Sequence, residues 1–385
     1  MYESSLKSPE NSIDDSSDET QSRPNDTYRM NGNGITSGGS VDDLSSVSRE
    51  RRAEIRFNRA KHIGSLEPGD CGSSPLIKPE WYNEELFKAA QKLARERFCS
   101  LFFGHLCGLC MLVHIPAILN TLMSTNNSKT VADAFTRYLG TLTHVKAWYE
   151  GDIWNISDPA YKSILAVRRM HERVASKMNT SKVRGQDVLF ISQYDMFLTQ
   201  FGFIGMLILH PKECGLPDNG NENHLKCLIH FWRCIGYMLG IEDRFNMCHD
   251  EADIDGIRCL CATIMDREFR PLISKYSSEE SRVMSRSIVE AIKAFIPPLS
   301  VTGFTKYLYK MNTIESPVKV TGIQKAGYHS INLTMKHILP QARLSFIFDR
   351  LLRRAIRRAH KKQEIIKQRL TSKEVVIESN LTTDV

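Results

Sequence analysis

Between Arg97 and Ser124 lie twenty-six residues, FCSLFFGHLCGLCMLVHIPAILNTLM (Phe98 to Met123), without one Asp, Glu, Lys or Arg. A run of that length either crosses a bilayer or fills the middle of a large helical domain. His105, His114, Asn120, Pro116 and several small residues suit a helix packed on all sides by protein. Arg95 and Arg97 ahead of the run and the uncharged STNNS behind it keep a membrane span as the alternative.

The surroundings of the run are helical. PEWYNEELFKAAQKLARERF opens with Pro79 and Glu80 and then repeats apolar residues at helical intervals. VADAFTRYLGTLTHVKAWYEG, ILAVRRMHERVAS, ISQYDMFLTQFGFIGMLIL and NHLKCLIHFWRCIGYMLGI follow the same period, and HPKECGLPDNGNEN is a loop by its Pro, Gly and Asn content. No alternating run is long enough for a substantial sheet, and no solenoid period appears. The expectation is an all-α protein with a single large helical domain over residues 79–298.

Ahead of it, residues 1–78 are expected to be a disordered acidic and polar region. The first fifty carry ten acidic and four basic side chains and two tyrosines as their only aromatics, too little apolar surface to offset ordering entropy. No basic start followed by an apolar stretch opens the chain, so an intracellular location is expected.

The formal charge is +7, but Arg343 to Arg369 hold ten Lys or Arg against two Asp or Glu, a local +8 that leaves −1 for everything else. Basicity confined to one C-terminal element argues against a nucleic-acid binder, which spreads cations and aromatics over its folded surface. The ten cysteines are expected to be reduced thiols. Cys107/Cys110 and Cys259/Cys261 sit in apolar runs without a second ligand pair, so they read as small core hydrophobes rather than zinc ligands. Met111 follows Cys110, so a covalent haem attachment motif is absent.

Two helices carry polar residues on inward faces. Counting from Val167, helical spacing puts Met170, His171 and Val174 on one apolar stripe, with Arg168 at its border and Arg169, Glu172 and Arg173 on the solvated side. His171 is then either a satisfied core histidine or a residue held toward a ligand. Upstream, Arg137, Thr141 and His144 line one side of a helix, either as a surface cation and a threonine bonded to its own backbone, or as part of a pocket between helices.

The order Arg137-x-x-x-Thr141, Arg168-x-x-His171, SQYDMFLTQFGF and HFWRCIGYMLGIEDRFN resembles the catalytic domain of the family that includes rubber oxygenase (latex-clearing protein) and the fungal ER-bound oxygenase of mycophenolic acid biosynthesis. The resemblance spans roughly Leu86 to Cys248. It implies an all-α fold enclosing a pocket for one non-covalent b-type haem, with His171 as iron ligand, Arg168 beside the cofactor, and Arg137 and Thr141 on the distal side where dioxygen reacts. Latex-clearing proteins can carry a lysine just before that threonine; here the residue is Gly140, which implies an open sixth position unless His144 reaches it. No acidic residue here matches the base proposed for the rubber enzymes. His230 and Arg233 are read mainly as packing residues.

The implied activity is oxygenation of an apolar, isoprenoid or other unsaturated lipid with dioxygen. The alternative is a non-catalytic helical protein at a membrane surface that senses or carries haem, or binds none. Residues 299–385 form an extension whose ARLSFIFDRLLRRAIRRAHKK is a basic amphipathic helix with Leu344, Ile347, Phe348, Leu351, Leu352 and Ala355 along one side. It reads either as a solvated helix packed on the domain or, the expectation here, as one that meets an anionic membrane surface, such as that of the endoplasmic reticulum.

Overall fold

The computed structural model describes residues 47–74, 77–125, 130–180, 189–217, 222–315 and 322–382. The helices are α1 (Arg49–His62), α2 (Glu84–Glu96), α3 (Phe98–Leu112), α4 (Pro116–Ser124), α5 (Val131–Glu150), α6 (Pro159–Thr180), α7 (Gln193–Leu209), α8 (Asn223–Met238), α9 (Ile254–Ile264), α10 (Arg270–Ser274), α11 (Glu279–Lys293), α12 (Val301–Met311), α13 (Gly322–Leu333), α14 (Ala342–Lys361) and α15 (Gln363–Thr382). Among the described residues no strand forms; Pro68 and Ser192 make one isolated antiparallel bridge. The fold is all-α, as the sequence predicts.

Local chemistry sets the helix starts. Asn83 accepts from the Leu86 amide, Thr130 from Asp133, and Ser192 and Asp195 form a reciprocal capping box at the start of α7. Asp158 accepts from the Ala160 amide at 2.7 Å and opens α6.

The charge-free run is two helices, α3 and α4, bent by 94° at the break before Pro116. Twelve of the fifteen residues of α3 are buried. Among the described residues no single helix is long and apolar enough to cross a membrane. The partner of α3 is α7, also buried nearly all round. Glycines set their spacing: a Cβ on Gly108 would stand 1.8 Å from the Gly202 carbonyl oxygen, and one on Gly104 would meet Leu207 at 2.6 Å. By length and composition the bent pair α3–α4 still passes for a broken span, although most of α3 is buried by the protein itself.

Residues 1–46 lie outside the described residues, but α1 is folded, so the region 1–78 is not disordered throughout. Ala53, Phe57 and Ala60 are buried and α1 packs along α9. Their i, i+4, i+7 stripe hides among charges that are themselves matched: Arg49 and Arg52 reach Asp253 at 3.1 and 3.0 Å, and Lys61 reaches Glu268 at 2.5 Å. At the other end the chain forms one compact unit from Val47 onward, with no division at residue 298.

Candidate active site

A cavity of about 780 Å³ lies among α3, α4, α5, α6, α7 and α8, with Lys367 of α15 at its lining. Its walls are largely apolar: Leu109, Leu112 and Val113 from α3, Val167, Met170 and Val174 from α6, Phe203 from α7, and Trp232 and Ile235 from α8. Polar neighbours are mostly committed elsewhere. Gln200 donates to the Trp232 carbonyl at 2.8 Å and to Asn246 Oδ1 at 2.9 Å, and accepts from the Met247 amide at 2.8 Å. Thr199 donates to the Asp195 carbonyl at 2.7 Å.

His171 faces this cavity from α6. Its Nδ1 is buried without a hydrogen-bond partner, a costly state for a ring nitrogen. Burial lowers its pKa to about 4 against the opposing pull of the Asp70 charge, so the ring is neutral near pH 7 with a lone pair to offer.

Arg137, Gly140, Thr141 and His144 of α5 line the same cavity. Arg137 Nη2 donates to the Thr125 hydroxyl. Burial lowers the arginine's pKa, opposed by Tyr138 and Asp133, yet a guanidinium stays charged in such surroundings. The Thr141 hydroxyl donates to the Arg137 carbonyl at 3.2 Å, so the backbone-bonded alternative and the cavity-lining one both hold. His144 Nδ1 pairs with Ser163 Oγ at 2.8 Å, which also accepts from Trp148 Nε1 at 3.0 Å. That contact ties α5 to α6 and fixes the His144 ring against swinging freely. A Cβ on Gly140 would meet no atom within 4 Å: the wall is open where a side chain could enter.

Arg168 is placed differently from the expectation. It is buried, but it does not line the cavity. Its Nε donates to Asp70 Oδ2 at 2.5 Å, Nη2 donates to Asp70 Oδ1 and to the Ser73 carbonyl at 2.9 Å, and Nη1 donates to the Met238 carbonyl at 3.4 Å. The guanidinium fork is matched by a carboxylate of the chain itself. Asp70 sits in a segment held by further bonds: Gly69 N to the Ile191 carbonyl at 2.9 Å and Cys71 N to the Gly240 carbonyl at 3.0 Å.

His230 and Arg233 are also outside the cavity, in a buried charge network. His230 Nδ1 pairs with Glu251 at 3.0 Å, Arg233 grips Asp243 at 2.8 Å and Glu251 at 2.7 Å, and its guanidinium lies 4.0 Å from the Trp81 ring centroid. Their role is to hold the chain after α8 against the domain, in line with the packing reading.

Sequence reasoning missed Lys177, Lys367 and Asp133 on the lining, and Asp70 behind His171. Lys177 continues the stripe, three residues after Val174 and seven after Met170, so helical spacing could have found it; Lys367 lies on a helix far away in sequence and carries no local signal. It also missed a relay that fixes another inward histidine. Trp232 Nε1 donates to the Tyr149 hydroxyl at 2.9 Å, that hydroxyl lies 3.3 Å from His105 Nε2, and His105 Nδ1 lies 2.6 Å from the Phe203 carbonyl. Among the described residues no group of three or more His, Cys, Asp or Glu could hold a metal ion, and all ten cysteines are free.

Residues 94–271 match the family model described as ER-bound oxygenase mpaB/B'/rubber oxygenase, catalytic domain. The fold is similar to that of a solved structure titled "Structure of Latex Clearing Protein LCP in the closed state", with a TM-score of 0.54 and 14% identity over 81% of this chain and 91% of that one. At that identity the likeness speaks for the fold. No curated protein matches the chain.

Proposed function

Since residues 94–271 belong to the ER-bound oxygenase/rubber oxygenase catalytic-domain family, whose members are oxidoreductases, we propose that the chain is a b-type haem-dependent oxygenase that acts on an apolar, unsaturated lipid with dioxygen. The observation that carries this reading is the orphaned Nδ1 of a neutral His171 on the wall of a cavity of about 780 Å³.

The residues present fit a haem. The volume is in the range of about 300–1,000 Å³ typical of ligand sites. For iron held in a macrocycle one imidazole suffices as the protein's axial ligand, and His171 supplies one at the lining. Arg137, Lys177 and Lys367 give the lining cations suited to carboxylates. When bound, the haem supplies the dioxygen chemistry that amino-acid side chains lack.

The chain's own contribution is position and environment. His171 would hold the cofactor through a neutral ring whose orientation follows from α6. The apolar walls exclude water and accept a hydrocarbon chain. Arg137 keeps a fixed positive charge and N–H donors at the lining, where negative charge on a reacting oxygen is stabilised without reorganisation. Thr141 can add its hydroxyl there by releasing the bond to the Arg137 carbonyl. Gly140 leaves room beside both.

The test is spectroscopic first. Purified full-length protein given haem should develop a Soret band that His171→Ala abolishes or moves, and dioxygen uptake should follow addition of one member of a panel of unsaturated lipids. A protein that stays colourless sinks the proposal, and a haem protein inert to every lipid would be the sensor or carrier instead.

A further inference from the structure

Helix α14 has two unlike faces. Inward, Ser345, Asp349, Leu352, Ile356 and Ala359 are buried. The contacts of that side fix the helix on the domain. Asp349 Oδ1 accepts from the Cys99 amide at 2.7 Å, and Arg353 donates to Glu150 at 2.8 Å while its guanidinium lies 4.2 Å from the Phe98 ring centroid. The pairing of His360 Nε2 with Thr143 Oγ1, 3.1 Å apart, ties the far end to α5.

Outward, Phe346, Ile347 and Leu351 are each more than half exposed, at 58%, 51% and 54%. Arg343, Arg350 and Arg354 are interleaved with them, and Arg357 and Arg358 extend the row; all five are exposed. None of these five side chains makes a hydrogen bond or ion pair among the described residues, and Arg350 lies 5.5 Å above the Phe346 ring. Three large apolar side chains displayed together on a rigid helix mark a surface that meets something.

Charge decides what. The segment carries +8 while the rest of the chain sums to −1, so one side of the protein is strongly attracted to a negative surface. A nucleic acid would match the arginines and leave Phe346, Ile347 and Leu351 without a role, and a partner groove that wraps a basic amphipathic helix would meet α14 with its other side already packed on the domain. Apolar residues at the depth of acyl chains, with guanidinium groups among anionic headgroups, match all eight side chains together. We infer that the outward face of α14 docks the protein on an anionic membrane surface as a preformed interfacial helix. The same C-terminal arm supplies Lys367 to the cavity lining, and α15 packs along α5. The inference stands apart from the haem reading, and failure of either leaves the other intact.

The experiment is flotation of the full-length protein with vesicles of phosphatidylcholine alone and of phosphatidylcholine mixed with phosphatidylserine. Binding is expected to the mixed vesicles only and to fall with added salt. Phe346→Ser/Leu351→Ser and Arg350→Glu/Arg354→Glu should each weaken it by about tenfold or more. Because these residues are exposed, the thermal midpoint should stay at the wild-type value; a variant that shifts it is replaced by Ile347→Ser or Arg343→Glu. Equal binding to both vesicle types, no binding to either, or wild-type binding by the charge-reversed variant would overturn the inference. So would tight capture by RNA that charge reversal abolishes and the serine variant leaves unchanged.

Discussion

Arg168 of α6 closes on Asp70, its Nε 2.5 Å from one carboxylate oxygen and its Nη2 on the other, across 98 residues of chain. Burial would raise the Asp70 pKa; hydrogen bonds from Arg168 and the Gly72 amide outweigh it and hold the carboxyl below its ordinary value. One turn along α6 stands His171, whose ring feels the same carboxylate. Asp70→Asn should cost about 2–3 kcal/mol, since it leaves a buried guanidinium half matched. Arg168→Lys should rescue little, because an ammonium cannot reproduce the two-pronged contact. Chemical denaturation measures the loss, and an Asp70→Asn protein as stable as wild type would contradict the pairing.

Stability should depend on pH in two stages. His105, His114 and His171 have pKa values lowered by burial to about 4 from 6.5. Between those values the unfolded chain binds protons that the folded chain refuses, so stability falls as pH drops from about 6.5 to 4. Glu251 and Asp243, where the ionic and hydrogen-bonded network overrides burial, are held at about 2. Their contribution is present above the unfolded values of 4.5 and 3.8 and is lost as pH falls toward about 2. Thermal midpoints from pH 3 to pH 8 check this; a flat profile between pH 4 and 6.5 would refute the histidine stage.

Gly140 lies in the middle of α5 with open space beyond its Cα. Gly140→Ala is therefore expected to stabilise the protein by about 0.5–1 kcal/mol, through the entropy a mid-helix glycine loses on folding. The ferric haem spectrum of the wild type should respond to added imidazole, and Gly140→Lys, which places an amine in that space, should blunt the response. Equal responses would mean that the open space does not adjoin the iron.

Asp349 caps the start of α3 from another helix. Its Oδ1 accepts the Cys99 amide, while its Oδ2 is buried without a partner and burial raises its pKa. Asp349→Asn keeps the acceptor and removes the buried charge, so it should be neutral or stabilising near pH 7. Asp349→Ala should cost about 1 kcal/mol, and unfolding midpoints of the two variants should separate in that order.

The helices were legible because their apolar residues recur at 3.6, and His171, Arg137 and Thr141 do meet at one cavity. What stayed hidden depends on partners far away in sequence. The run from Phe98 reads as a core helix with a span as the alternative, and nothing in it announces the 94° bend before Pro116 or the packing of Gly108 on the Gly202 backbone of α7. Arg168 borders the His171 stripe, yet its orientation is set by Asp70, in a stretch that reads as disordered. In α14 the sequence groups Ile347, Leu351 and Leu352 on one apolar side, whereas the structure buries Leu352 with Ser345 and Asp349 and turns Ile347 and Leu351 outward. A rule that hides apolar residues fails where a buried carboxylate caps a neighbouring helix.

The crossing of α3 and α7 at Gly108 and Gly202 has a bearing on how such a chamber is tailored. Both helices line the cavity, α3 through Leu109 and Leu112, α7 through Met196 and Phe203. Their separation is set by two residues that contribute no side chain at the contact. A methyl group added at that crossing would act as a wedge, prising the walls apart from outside the chamber. The bore of the cavity is thus adjustable from a crossing whose two glycines lie off its lining.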